Sequence, residues 1–424
     1  MSRGFFSLLL LAVTLAVTAH AAPVVQVRDN LIRIPMAKRF NLTGSGTLLA
    51  RDQARARNLV ARANAHLSGS SLSSDAVIGV PADNQAVDYV INVAVGSPAI
   101  TYSLLVDTGS SNTWVGAGKS FVQSSTTRQT RDAVSVTYGS GSFSGTEFTD
   151  TVSLGSGLTI TGQSIGVATT SDGFDGVDGI VGIGPVDLTV GTLSPDTRST
   201  IQPVRSLRPV REGRGRLTLG IITEDLVSVS FEPTSSPEIV NGELTFGGTD
   251  SSKFSGAINF VPITTTSPAS LFFGIDQSIR YGTSTTILSS TAGIVDTGTT
   301  LILIATDAIT KYQRATGAVA DRTTGLLRLT TAQFANLQSL FFTIGGVTFE
   351  LTPNAQIWPR ALNTAIGGNA NSVYLIVGSI GTPSGEGLDF INGMTFLERF
   401  YSVFDTANSR IGIANTPFTT ATTN

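Results

Sequence analysis

The chain of 424 residues carries 27 lysines and arginines against 30 aspartates and glutamates, with two histidines and no cysteine. Without cysteine there is no disulfide framework, no thiolate nucleophile and no cysteine-ligated metal. Both histidines, His20 and His66, precede the main body, which excludes a serine–histidine–aspartate triad or a histidine-bound metal there and leaves carboxylates as the candidates for proton transfer.

In chain order, Arg3 precedes an apolar run from Phe5 to Val17, and Ala19-His20-Ala21 supplies a small-x-small cleavage site. This predicts a secretory signal over 1–21, too short to span a membrane, and hence a secreted, extracellular product without membrane association. From Ala22 to Asp75 eight basic residues (Arg28, Arg33, Lys38, Arg39, Arg51, Arg55, Arg57, Arg62) face three aspartates. From Ala76 onward 27 acidic residues face 18 basic ones. A basic segment ahead of an acidic body is expected to bind that body and to loosen when acid protonates the carboxylates. Residues 22–76 therefore read as an inhibitory propeptide, the chain's own partner, with self-cleavage near Asp75 to Val80. The opposite charge of the body argues against a nucleic-acid partner.

The body reads as strand and turn. Tyr89 to Val95 alternates, and Thr101 to Val106 runs into Asp107-Thr108-Gly109-Ser110-Ser111. A Gly-rich tip, Tyr138-Gly139-Ser140-Gly141, follows. The strand ending Gly293-Ile294-Val295 then runs into Asp296-Thr297-Gly298-Thr299-Thr300. Two helices are expected, Thr306 to Thr316 and Thr331 to Leu340, with Thr306 and Thr331 as caps. Thr264 to Pro268, after Pro262, marks a junction between an N-terminal lobe, 77–262, and a C-terminal lobe, 263–424.

The duplicated aspartate turn is the strongest chemical signal. One Asp-Thr-Gly is usually an ordinary turn bonded to nearby amides, but two copies, each after an apolar strand and before two hydroxyl residues, point to a shared site. Two carboxylates within hydrogen-bond reach cannot both ionise cheaply, so one keeps a proton. The charged member can take a proton from a water attacking a carbonyl while the neutral member donates to the carbonyl oxygen. This supports peptide hydrolysis without a covalent intermediate, a metal or a cofactor.

From about Val80 to Phe418 the chain resembles the pepsin-like aspartic proteases. The likeness rests on both aspartate turns, on Asn112-Thr113-Trp114-Val115, Val136 to Gly141, Asp178 to Ile183 and the closing Phe400 to Asp405. It implies a mainly β, bilobal fold with pseudo-twofold lobes around a cleft, and a monomeric, acid-active endopeptidase with Asp107 and Asp296 as catalytic residues. Substrates would be proteins and peptides cut between large apolar residues, and statine-type inhibitors such as pepstatin would bind. It further implies that Thr108 and Thr297 bond across the lobe interface, that Ser110 and Thr299 bond the outer carboxylate oxygens, and that Gly109 and Gly298 donate amides to the aspartates. Tyr138, Gly139 and Ser140 would form a closing flap with Trp114 as the tyrosine's partner. Ile180 and Phe174 would line an apolar pocket, core packing being an equal account of Phe174. Lys38 or Arg39 would contact the two aspartates from the propeptide.

Three departures stand out. Only 31 positions separate Asp107 from Tyr138, with no disulfide loop at the cleft edge. Ile391-Asn392-Gly393-Met394 has Asn before the Gly and Met after it, where many relatives have Leu and Asp; the lost carboxylate is expected to move the pH profile upward. Five arginines crowd 202–222 where an apolar helix is expected. Two other classes use similar features. A silent binding protein on this fold would usually lack an aspartate, a hydroxyl partner or the flap tyrosine, and a glycosidase would separate its carboxylates by about 5 Å or more among aromatic platforms.

Overall fold

Strands dominate the computed structural model, which describes residues 31–42, 46–68, 85–139, 141–155, 158–195, 211–212, 216–217, 222 and 224–424. The expected signal, the junction at 75–80, Ser140 and most of the arginine-rich stretch lie outside the described residues. Of that stretch, Arg211–Glu212 and Arg216–Leu217 pair as a small antiparallel ladder.

The first strand, β1 (Ile32–Leu42), belongs to the basic segment yet lies inside the largest sheet, between Glu238–Phe246 and β2 (Gln85–Val95). Ile34 and Met36 are buried there. After it, α1 (Leu48–Ser68) is a 21-residue helix that the strand-and-turn reading passed over. Its signals are local. Thr47 caps it by accepting the Ala50 amide, and 48–68 contains no Gly or Pro. Leu48, Asp52, Arg55, Leu59 and Arg62, spaced by three and four, form one buried stripe.

Two matching arrangements follow. In the first, β3 (Ile100–Asp107) pairs antiparallel with β2 and parallel with β5 (Gly179–Gly182), itself antiparallel to β4 (Trp114–Val115). In the second, Thr285–Val295 pairs antiparallel with Gly274–Tyr281 and parallel with Phe390–Asn392, itself antiparallel to Ile302–Ile304. Each arrangement threads a strand through the loop that carries one aspartate. The strands of the second sit in a seven-stranded sheet, those of the first in a fourteen-stranded one. The larger sheet also takes in Phe400–Asp405 and Arg410–Asn415 from the C-terminal end, so one continuous set of ladders joins these strands to β1 and β2.

The helix Thr306–Thr316 spans the expected residues and ends at Gly317 with φ 71°, the left-handed turn that glycine adopts without strain. Thr306 is not its cap; Ala305 precedes it and makes no side-chain cap bond. The second helix is a single turn, Thr331–Phe334, capped by Thr330 rather than Thr331 through a reciprocal box with Gln333. It stops short of Leu340 because Leu340 enters the sheet, opposite Tyr281 and Leu351.

Candidate active site

The two aspartate turns meet face to face. Each threonine amide donates to the other threonine's hydroxyl oxygen at 3.0 Å, Thr108 N to Thr297 Oγ1 and Thr297 N to Thr108 Oγ1. The Thr297 hydroxyl donates onward to the Val106 carbonyl at 2.9 Å. Asp107 Oδ1 accepts the Gly109 amide at 2.9 Å, and Oδ2 accepts the Ser110 hydroxyl. The second turn repeats this, with Gly298 N to Asp296 Oδ1 at 3.2 Å and Thr299 Oγ1 to Asp296 Oδ2 at 2.6 Å. Both carboxylates are fully buried. The glycines are required by approach: a Cβ on Gly109 would lie 2.6 Å from Asp296 Oδ1, and one on Gly298 2.6 Å from Asp107 Oδ1.

The guanidinium of Arg55 on α1 touches both carboxylates. Its Nη2 donates to Asp107 Oδ1 at 2.6 Å and to Asp296 Oδ1 at 2.9 Å, and Nε donates to Asp296 Oδ2 at 2.7 Å. Neither Lys38 nor Arg39 is there. Lys38 is buried in an ion pair with Glu398, and Arg39 lies 3.7 Å from the exposed Glu238. The physical reason is that β1 is committed along its length to ladders with its two neighbours, so its side chains reach the sheet's faces, whereas α1 lies across the carboxylates. Burial would raise the Asp296 pKa, but the Arg55 charge and hydrogen bond, with Thr299 and Gly298, outweigh it and hold the carboxyl below its ordinary value. Burial likewise disfavours charge on Arg55, and the two aspartates overcome that and raise its pKa.

The rest of α1 is tied down on both sides of Arg55. Asp52 accepts the amides of Thr300 at 3.3 Å and Leu301 at 2.8 Å, just beyond the second turn. Burial pushes its pKa up to about 6 against the opposing pull of Arg51 and those amides. Arg51 pairs with Asp88 at 3.4 Å, Gln53 donates to the Ser379 carbonyl at 2.9 Å, and Arg62 donates to the Leu188 carbonyl at 2.9 Å.

The hairpin tip lies over the same helix. Tyr138 N–H donates to the Gly141 carbonyl at 2.8 Å, closing the turn. Gly139 has φ 81°, and a Cβ there would run into the Ala54 carbonyl, so the tip's backbone rests on α1. Tyr138 is buried, which raises its pKa despite the nearby positive charge of Arg62. Its ring lies 6.5 Å from that of Trp114, and Phe174 meets both rings edge-on, at 4.8 Å from Trp114 and 5.5 Å from Tyr138. Ile180 opposes Trp114 in the β4–β5 ladder. Sequence reasoning missed Phe143, which stacks on Trp114 at 4.1 Å. The available signal was its place in the returning strand of the hairpin, opposite Val136.

Duplicated strand-and-turn units with facing carboxylates are the architecture of an aspartic-type endopeptidase. The family model "Eukaryotic aspartyl protease" matches residues 88–416, and the chain belongs to that family. It is 71% identical to polyporopepsin of Irpex lacteus over 345 residues, covering 81% of this chain and 99% of that protein. It is 31% identical to cathepsin E of Rattus norvegicus over 358 residues, 77% of this chain and 80% of that one. The crystal structure of the aspartic proteinase from Irpex lacteus aligns with a TM-score of 0.77 at 61% identity, covering 93% of this chain and 100% of that one. The fold is the bilobal pepsin-like one, and the activity is endopeptidic.

Proposed function

We propose that this endopeptidase is made as a secreted, autoinhibited precursor in which α1 covers the catalytic pair and Arg55 silences it. The observation that carries this is the Arg55 guanidinium bonded to both carboxylates. A shared proton is the working state of two close carboxylates, and a fixed cation between them removes the reason to keep it. Once α1 withdraws, Asp107 and Asp296 face each other without a counter-charge and one regains the proton. The ionised carboxylate then takes a proton from a water as its oxygen attacks the peptide carbonyl, and the neutral one donates to the carbonyl oxygen. Thr108, Gly109 and Ser110, with Thr297, Gly298 and Thr299, hold the two groups in place. Tyr138, Gly139 and Ser140 close over an extended peptide, and Trp114, Ile180 and Phe174 supply an apolar wall that favours large apolar side chains beside the cut.

On this reading 1–21 is the signal, 22–76 the propeptide, 77–262 and 263–424 the two lobes of a monomer, and pepstatin a ligand of the open cleft. The test is N-terminal sequencing of the full chain before and after acid treatment, beside Asp107→Asn. The wild-type chain should shorten near Asp75 to Val80 and the variant should stay full length. Shortening of the purified variant at the same site, with no active enzyme added, would reject self-processing.

A further inference from the structure

Behind the second aspartate turn lies a buried polar pair with no counterpart in the first. Gln277 and Asn392 are both fully buried and exchange hydrogen bonds through their side-chain amides, Asn392 Nδ2 to Gln277 Oε1 at 2.8 Å and Gln277 Nε2 to Asn392 Oδ1 at 3.2 Å. The repeated topology identifies the matching positions. Gln277 pairs with Thr291, five residues before Asp296, as Val93 pairs with Tyr102, five residues before Asp107. Asn392 pairs with Val295 as Val181 pairs with Val106. The first unit thus fills these places with two buried valines. Apolar side chains suffice for packing there, and a buried amide is costly unless its partner is present. What the amide pair adds is direction.

We propose that Gln277 and Asn392 are positioning residues for Asp296, a clamp that fixes the strand on which the second aspartate hangs. The Asp296 amide donates to the Asn392 carbonyl at 3.1 Å, so the rotation of residue 392 is transmitted to the backbone of the aspartate. The strand's end is pressed onto the same turn. A Cβ on Gly393 would meet the Leu301 and Thr299 carbonyls, and the Met394 amide donates to the Thr299 carbonyl at 2.7 Å. A shift of Phe390–Asn392 therefore moves the Asp296 turn with it. Two primary amides carry no charge, so the clamp holds the same geometry across the acid range in which a carboxylate in its place would titrate.

This rests on the reading of Asp296 as half of the catalytic pair, and the two are tested apart. The full chain is incubated in acid and assayed on a peptide with large apolar residues flanking the scissile bond. Four forms are compared: wild type, Asp296→Asn, Asn392→Asp, and Gln277→Val with Asn392→Val. The double variant copies the first unit's packing and should keep its far-UV circular dichroism. Its kcat should fall about tenfold with KM changed less than about twofold, because a misplaced carboxylate weakens the chemical step more than substrate binding. Asn392→Asp, nearly isosteric, should lose activity at lower pH than the wild type as the new carboxyl ionises. Wild-type kcat and an unchanged pH profile in either folded variant would overturn the clamp. Wild-type activity in Asp296→Asn would instead overturn the catalytic reading, whatever the other variants do.

Discussion

Arg55 meets two carboxylates that are themselves satisfied by amides and hydroxyls, so its removal exposes a simple imbalance. Arg55→Ala leaves two buried aspartates without a cation, and breaking a buried ion pair in this way costs about 3–5 kcal/mol. The docked helix bears that cost, and the pair regains the option of sharing a proton. The full-length Arg55→Ala chain should therefore bind pepstatin at mildly acidic pH without prior shortening, where the full-length wild-type chain should not. Calorimetric titration of the purified full-length chains distinguishes the two, and equal silence would deny Arg55 its role. Asp107→Asn and Asp296→Asn should each reduce peptide hydrolysis by about 10²–10⁴-fold or more, since each removes one half of the proposed acid–base pair. The fold should persist, because the amide oxygen still accepts the neighbouring glycine N–H while the amide nitrogen can donate to the hydroxyl oxygen. Unchanged circular dichroism with lost turnover is the expected pairing of results.

At the scale of the helix, pH acts on α1 in two directions. Asp296 has a depressed pKa when α1 is docked, so its contribution to docking is present above the ordinary aspartate value, about 3.9, and is lost as pH falls through the lower docked value. Asp250, paired with Arg33 of β1 at 2.5 Å, behaves alike. Partial burial opposes its ionisation, but Ser252 and Arg33 bring its pKa down to about 2. Asp52 has the opposite sign. Its pKa rises to about 6 on docking, so its carboxyl favours the docked helix increasingly as pH falls from about 6 toward 4. Docking should thus be tightest in mild acid and fail only below the ordinary carboxylate range. Hydrogen exchange over 48–68 as a function of pH should show maximal protection near pH 4–5 and a steep loss below. In Asp52→Ala the protection should be weaker throughout and lack the rise between pH 7 and 5. Monotonic loss from neutrality downward in the wild type would contradict the opposing role of Asp52.

For the whole molecule, one carboxyl outside the cleft links stability to pH. Glu147, on the strand Ser142–Gly155, is buried and accepts the Ser164 hydroxyl. Burial pushes its pKa up to about 7, against that hydrogen bond and with help from the charge of Asp132. The folded state therefore holds this proton more tightly than the unfolded chain. The associated stability is complete below the ordinary glutamate value and is lost as pH rises through about 7, by up to a few kcal/mol. Glu147→Gln should lower the loss of melting temperature between pH 5 and 7.5 while leaving cleavage specificity unchanged. Differential scanning calorimetry of both chains across that range checks it, and identical pH slopes would remove Glu147 as the cause.

What the amino-acid sequence determined by itself is what short-range chemistry encodes. The apolar strands before Asp107 and Asp296 and the hydroxyl residues after them specify two like turns, and the repetition announces the mainly β, bilobal class. The span Thr306–Thr316 is legible because its end is written locally in Gly317. The tertiary structure alone decided which cation reaches the carboxylates. Charge counting does not rank the eight basic residues of the segment, since net charge has no direction, and the family resemblance points to Lys38 or Arg39 instead. Arg55 prevails because it lies on the buried stripe of a helix, with partners 52 and 241 residues away in sequence. Lys38 is spent on Glu398, 360 residues away. The Gln277–Asn392 pair was hidden for the same reason: an asparagine and a glutamine 115 residues apart carry no local signal of each other. Only when Phe390–Asn392 threads through the loop of the second turn do their amides face one another, where burial makes their hydrogen bonds obligatory.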